Sequence, residues 1–562
     1  MRKVFRSSWP FIPVRKDSAI EAPRAAAQQI LEWINQSEQT PHQQGYSEGN
    51  DSDQNLSPLP TRILEVVGPE KVRLHIAAHA EKAQYACLSH CWGGVTALRL
   101  TSLQLEAFQD EIPWHMIPQT FRDALTLLPL IGLKYLWIDS LCITQNDTED
   151  WLAEGSKMVS TYERSYITIA ASRSPNPHGG LFNTSTSYQQ AEQISLSNSA
   201  DSSQTFYVRR VPQSSSDLPL LRRAWFYQER KLSSRVVHFG CEGLEWETAF
   251  SHLQELKLNN SELTGTTDKD EASYSYQNYI EIGEFPLDST LRLEQWHNLV
   301  SEYTRMDLSF ASDIFPALQG VARQFSRHKS GRYLAGLWED TCLRDLFWFP
   351  VEDSQTVQPY RAPTWSWASR TGPIDWLSFS PFHVPPNALA RSGNKVLTEC
   401  TPSATIVNIE TKPLGQDEMG PIRAAKLHID SPCFQLPEFE WHDTGHTIMW
   451  DCEPLGRKTD LGDVWLLPVF RIDDVRDEQW SRGYDAPQHS PQDHLLFCLM
   501  LECCADKDQY RRVGIIQLAG RMNPYLEGFN SRSDNDSYWA LKLRNISARL
   551  GDRQRRQIVT IV

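Results

Sequence analysis

The chain has 562 residues, 40% of them hydrophobic, and a formal net charge of −15. That length suits roughly two to four domains with substantial cores, while the acid excess argues against a surface that tracks nucleic-acid phosphates. The 19 Trp residues favour a folded protein over a disordered scaffold, because an indole is costly to place unless it is packed.

Eleven scattered cysteines form no C-x-x-C pair, and Cys503 and Cys504 are adjacent. This fits neither a disulfide framework nor a zinc ribbon, so no metal is expected and the compartment reads as reducing, with the cytoplasm as the default. No run approaches the ~18 apolar residues of a membrane span, and Pro10 and Pro13 interrupt the basic start before a signal-peptide core can form.

Residues 1–60 hold a short helical stretch near Ala25–Ile34, then a Gln/Ser/Asn/Asp-rich segment, Gln36–Ser57. Its few apolar side chains cannot offset the entropy of ordering, so it reads as a linker. From Thr61 strands and helices alternate. Val72–Ala77, Tyr85–Ser89, Lys134–Ser140 and Tyr166–Ala171 read as strands, the last three as continuous apolar runs suited to burial on both faces. Phe121–Ile131 has helical spacing, with Phe121, Ala124, Leu125 and Leu128 on one face, and Thr148–Arg164 reads as a helix capped by Asp147. The alternation implies βαβ units in a mostly parallel sheet, whose right-handed crossovers place Ser89 and Asp139 at the same end.

After a polar excursion at Asn183–Ser203, strand signals return at Phe206–Val211, Arg235–Phe239 and Gly243–Glu247; a second polar break follows at Asn259–Ser275. Leu293–Met306, Asp313–Ser326 and Leu337–Phe347 read as helices. From Ala404 the texture becomes β-like, at Ala404–Ile409, Ala425–Ile429, Val464–Phe470, Leu495–Glu502 and Val513–Leu518. The expected organisation is therefore an N-terminal helix and linker (1–60), an α/β domain (61–255), a polar insertion (256–280), a helical and Trp-rich region (281–400) and a β-rich module (401–562).

In open α/β sheets, ligands sit beyond the carboxyl ends of the strands. Ser89, His90, Trp92, Gly93, Asp139 and Ser140 are thus the candidate ligand contacts. Simpler roles are open to each: Asp139 can cap the next turn, Trp92 and Gly93 can form a packed tight turn, and Ser89 and His90 can satisfy loop backbone. Cys91 and Cys142 read as small buried hydrophobes. Pairing Cys91 with His115 or His238 gives the remotest functional reading, a cysteine hydrolase. Gln228 and Glu229 beside Arg235 read as an internal hydrogen-bonded cluster.

Three ordered motifs carry a family resemblance. Tyr85-x-x-Leu88-Ser89-His90-Cys91-Trp92-Gly93, then Leu136-Trp137-Ile138-Asp139-Ser140-Leu141-Cys142-Ile143-x-Gln145, then Arg223-Ala224-Trp225-x-x-Gln228-Glu229-x-x-Leu232-Ser233-x-Arg235 resemble the fungal heterokaryon-incompatibility (HET) domain. Trp296-x-x-Leu299-Val300-x-x-Tyr303-Thr304, Ala335-Gly336-Leu337-Trp338 and Ala362-Pro363-Thr364-Trp365-Ser366-Trp367-Ala368-Ser369 resemble the region that commonly follows it. Thr248 stands where the family often has Cys, and Asn146 where it often has Asp.

The resemblance implies a role in fungal self/non-self recognition, with the domain triggering cell death through protein partners or self-association. The implied fold is similar to that of TIR domains, a parallel sheet wrapped by helices. Several TIR domains hydrolyse NAD with a helical glutamate in a Trp-Cys-x-x-Glu pattern, and Trp151-Leu152-Ala153-Glu154 occupies the comparable place. Glu154 is thereby the candidate catalytic residue, with NAD as substrate and no resident cofactor. On a helical wheel Trp151, Met158, Val159 and Tyr162 form an apolar stripe with Glu154 at its edge, while Glu149, Asp150 and Lys157 point elsewhere. The plainer role for Glu154 is a half-buried carboxylate paired with a local cation. No P-loop accompanies the domain, so assembly falls to a partner or to the C-terminal module.

Overall fold

A computed structural model describes residues 22–38, 56–94, 98–182, 192–198, 202–208, 218–240, 243–248, 252–254, 289–327, 329–377, 395–396, 401–415, 417–435, 447–451, 464–472, 476–477, 493–506, 509–521 and 557–562. The chain divides into two compact units, Met1–Glu284 and Phe285–Val562.

The first unit is built on one eight-stranded mixed sheet. Its elements are helix α1 (Ala22–Glu38), strands β1 (Arg62–Gly68), β2 (Lys71–Ile76) and β3 (Tyr85–Ser89), helix α2 (Gln119–Leu130), β4 (Tyr135–Trp137), a short helix α3 (Asp139–Cys142), α4 (Thr148–Glu163), β5 (Ile167–Ala170), α5 (Ala224–Leu232), β6 (Arg235–Phe239), β7 (Leu244–Thr248) and β8 (His252–Gln254). The strand order is β8-β7-β6-β5-β3-β4-β1-β2. β3 lies at the centre, parallel to both β4 and β5, and β6 is parallel to β5.

The expected parallel arrangement of these strands is therefore found, but only in the middle of the sheet. Antiparallel hairpins close both edges: β1 pairs antiparallel with β4 and β2, and β7 with β6 and β8. Every residue of β3 and β5 is buried, as expected of strands covered on both faces.

Local chemistry sets the remaining elements. Asp147 caps α4, its Oδ1 accepting from the backbone N–H groups of Glu149 and Asp150. In α2, Phe121, Ala124, Leu125 and Leu128 all face the core. The strand expected over Lys134–Ser140 ends instead at Trp137, because Asp139 opens α3 by accepting from the Ser140 N–H at 2.7 Å. Helix α1 joins the same core through Ala26, Ala27, Ile30, Trp33 and Ile34, with the Trp33 and Trp246 rings 6.0 Å apart. Within the expected polar excursion, Glu192–Asn198 pairs with Ser202–Val208 as a separate hairpin; residues 209–211 of the strand expected there lie outside the described residues.

In the second unit, α6 (Ser289–Tyr303) and α7 (Gln319–Ser326) precede a nine-stranded sheet. Its longer strands are β9 (Thr405–Pro413), β10 (Ile422–Ser431), β11 (Val464–Ile472), β12 (Asp493–Cys503), β13 (Gln509–Arg521) and β14 (Gln557–Ile561). All five β-like runs read from the sequence fall in these strands, save Ala404, which lies one residue before β9. Leu337–Phe347 is not one helix: Leu337–Trp338 pairs with Tyr333–Leu334, and only Cys342–Asp345 is helical. The chain reverses there at Ala335 and Gly336, both at positive φ. A Cβ on Gly336 would lie 2.5 Å from the Trp367 ring nitrogen, so the turn needs glycine.

The Trp-rich segment and the sheet are knitted together. Trp296 and Trp367 both donate their indole N–H to Gly336 O, at 3.1 and 3.0 Å. Arg512 of β13 donates to the carbonyls of Leu346 and Trp348, lies 3.6 Å over the Trp348 ring, and pairs with buried Asp451. Among the described residues no helix is long and apolar enough to cross a membrane.

Candidate functional site

The carboxyl ends of β3 and β4 bring most of the expected contacts together. Trp92 donates its indole N–H to Asp139 Oδ2 at 2.9 Å, and His90 Nδ1 lies 3.8 Å from Asp139 Oδ1. The His90 ring stacks on Trp92, with centroids 6.3 Å apart and 12° between planes, and meets Phe121 edge-on at 4.8 Å. Burial holds His90 down to about 4, helped by Arg223 and opposed by Asp139, so the imidazole is neutral at physiological pH. Arg223, which precedes α5, donates to His90 O.

Gly93 and Gly94 follow with φ of +63° and +64°. A Cβ on Gly93 would sit 2.4 Å from Asn176 Cβ and 2.5 Å from Pro175 O, so the loop packs tightly against that turn. Ser89 and Ser140 are buried, and the Ser140 hydroxyl has no hydrogen-bond partner among the described residues.

The same place holds a carboxylate that sequence reading assigned elsewhere. Glu229 of α5 is buried, and burial pushes it up to about 7. Arg223 and the hydroxyls of Ser89 and Tyr162 favour its charged form, while the charge of Asp139 disfavours it. Ser89 Oγ lies within side-chain hydrogen-bonding reach of both the Glu229 carboxyl and the Tyr162 hydroxyl. Arg235, expected beside Glu229, points away: its guanidinium lies 4.7 Å over the Tyr166 ring and reaches Glu38 at 3.5 Å. A carboxyl titrating near neutrality can both take and give a proton, the property wanted in an acid–base group.

Glu154 is placed differently. It is buried on α4, and its Oε1 accepts from Thr61 Oγ1 at 2.9 Å and Lys157 Nζ at 2.8 Å. Lys157 therefore turns toward it rather than away, the i,i+3 spacing on a helix bringing the two together. Trp151 is 46% exposed, so the buried stripe of α4 consists of Met158, Val159 and Tyr162 without it. Glu154 makes its hydrogen bonds with Thr61 and Lys157, and not with Ser89, His90 or Asp139.

A second buried network lies along β6 and β7. Arg230 Nε donates to both Glu247 oxygens, at 2.9 and 2.8 Å; His238 Nε2 meets Glu247 Oε2 at 2.8 Å, and His238 Nδ1 meets Ser172 Oγ at 3.0 Å. Burial alone would raise Glu247, but Arg230 and His238 hold it well below the usual carboxylate range. This network ties α5 to the sheet one residue beyond Glu229.

The thiols offer little nucleophilicity. Burial pushes Cys91 up to about 11 and Cys142 up to about 12, and Cys91 packs among Ala170, Leu220, Phe226 and Val236. Among the described residues no three His, Cys, Asp or Glu side chains are grouped to hold a metal ion.

Residues 85–229 match the family model described as heterokaryon incompatibility protein (HET). The match begins at the first residue of β3 and ends at Glu229. No curated protein and no solved structure matches the chain.

Proposed function

Taking as premise that this chain is a HET-domain protein, we propose that it acts in fungal non-self recognition, its α/β unit setting off cell death when a partner or self-association engages it. The observation that carries this reading is the coincidence of the family match with the polar strand ends. The three motifs are far apart in the chain, yet Ser89, His90, Asp139, Arg223 and Glu229 interact there. The proposed setting is the cytoplasm, with a protein as partner and neither nucleic acid nor membrane.

Inducible expression of the full chain in a filamentous fungus tests this. Growth arrest and loss of viability are expected with wild type and not with an Asp139→Asn variant of equal abundance. Growth of the wild-type strain equal to an empty-vector strain would overturn the reading.

A second reading keeps the TIR-like expectation, that the domain cleaves the nicotinamide–ribose bond of NAD with Glu154. It is supported by the burial of Glu154 on α4, the second helix after β4. Water would add to the ribose carbon as nicotinamide leaves, and a carboxylate beside the ribose would stabilise the oxocarbenium-like charge. In purified protein, Glu154→Gln is then expected to lower NAD consumption by on the order of 10²–10³. Equal consumption by both proteins would remove Glu154 from the reaction.

A further inference from the structure

The polar groups at the ends of β3 and β4 are incompletely satisfied. Ser89 and Ser140 are 1% and 3% exposed; the Ser140 hydroxyl lacks a partner among the described residues, and the Ser89 hydroxyl has only the Glu229 carboxyl and the Tyr162 hydroxyl within reach. Buried polar groups are almost always hydrogen-bonded in folded proteins, so the orphan Ser140 hydroxyl, one residue from Asp139, marks a place where a partner arrives from outside, beside a Ser89 hydroxyl already within reach of Glu229 and Tyr162. Glu229 faces Ser89 and Tyr162 from α5. Asp139, with a 24% exposed side chain, stands at the open side of the cluster, held by Trp92.

The charges narrow the ligand. Two acids repel a phosphate or carboxylate, the neutral imidazole offers it no charge, and the Arg223 guanidinium, the one group among these that would attract it, donates to His90 O. An ammonium can only donate hydrogen bonds and a phosphate ester only accept them, whereas serine and tyrosine hydroxyls and a half-protonated acid do both. The group that matches each of these is another hydroxyl. The indole of Trp92, partly exposed beside two exposed glycines, supplies the apolar face on which a ring's C–H groups can rest.

We propose that the carboxyl ends of β3 and β4 bind the hydroxyl groups of a neutral sugar ring, with Asp139 and Glu229 accepting from ring hydroxyls and Ser89 and Ser140 completing the set. The inference rests on these strand ends being a ligand site, and on no reaction there. Glu229 thereby becomes a binding residue.

Saturation-transfer NMR on the full chain, with D-ribose and D-glucose as probes, tests it without any catalytic readout. Transfer to at least one of the two sugars is expected with wild type and with Glu106→Gln, a change on the exposed face of the helix at Leu105–Asp110. Glu229→Gln and Ser89→Ala should each weaken binding by roughly tenfold or more, as loss of a charge-assisted or buried hydrogen bond does. Inorganic phosphate should not compete. Absence of transfer at tens of millimolar sugar, transfer unchanged in both variants, or displacement by phosphate would overturn the proposal. A wild type that kills cells yet binds neither sugar would overturn the sugar site alone and leave the HET reading intact.

Discussion

Glu229 and Glu247 are both buried carboxylates of the α/β unit, and their surroundings differ in one respect that matters. Glu247 has an arginine on both oxygens and a histidine on one. Glu229 has hydroxyls nearby, an arginine at longer range, and a second acid working against it. The first arrangement fixes a charge and ties α5 to β6 and β7. The second leaves a proton free to come and go near neutral pH. Burial alone does not separate a structural acid from a functional one; completeness of its partners does.

The largest test of that contrast removes the charge at Glu247. Glu247→Gln leaves Arg230 buried without its counter-charge, and the expected loss is about 3–5 kcal/mol, the cost of breaking a buried pair by one partner. Urea unfolding of the full chain, followed by Trp fluorescence, measures it. A loss below about 1 kcal/mol would mean that the network does not anchor α5.

Glu229→Gln is expected to act in the opposite direction. The folded state holds its proton to about pH 7, against an ordinary value of 4.5, so the folded chain binds more protons than the unfolded one between those values. Stability from this group is full below pH 4.5 and falls as pH rises through about 7. At about 1.4 kcal/mol per pH unit, the total is roughly 3 kcal/mol. The variant should escape that loss and gain on wild type between about pH 5 and pH 8. His90 contributes with the reverse sign: its stability is present above pH 6.5 and is lost as pH falls toward 4. Parallel pH profiles for wild type and Glu229→Gln would show that the carboxyl does not titrate in this range.

Glu154→Gln should be the mildest for stability, under about 1 kcal/mol, because its Lys157 partner is 52% exposed and solvent screens the pair. A larger loss would show that the Thr61–Glu154–Lys157 cluster holds the start of β1 against α4.

How much of this was legible beforehand depended on the range of the interactions. β3, β4 and β5 announce themselves as short apolar runs, α2 by its buried stripe and α4 by its Asp147 cap, since each is decided by neighbours in sequence. The convergence of Ser89 and Asp139 followed from strand order. Glu229 was misread because its partners lie 67 residues away, at Tyr162, and 140 away, at Ser89. A local signal was present: α5 reads Ala-Trp-Phe-Tyr-Gln-Glu-Arg-Lys-Leu, with Phe226 and Leu232 one turn to either side of Glu229. A charge flanked at i−3 and i+3 by buried apolar residues points inward. Lys157 and the antiparallel edge hairpins escaped for a different reason: a long flexible side chain, and strand pairings set by tight turns and not by the apolar runs.

The position of β3 in the middle of the sheet sets the smallest piece of this chain worth expressing. A fragment trimmed to the family match, 85–229, would keep β3, β4 and β5 but lose β1, which covers one flank of β4, and β6, which covers one flank of β5. Two bare strand edges, each with unpaired backbone donors and acceptors, are an invitation to sheet-to-sheet aggregation. The same cut would strip Trp33 and Trp246 from the core. Limited proteolysis of the full chain should accordingly leave a resistant core reaching from α1 to β8, considerably wider at both ends than the motifs by which the family is identified.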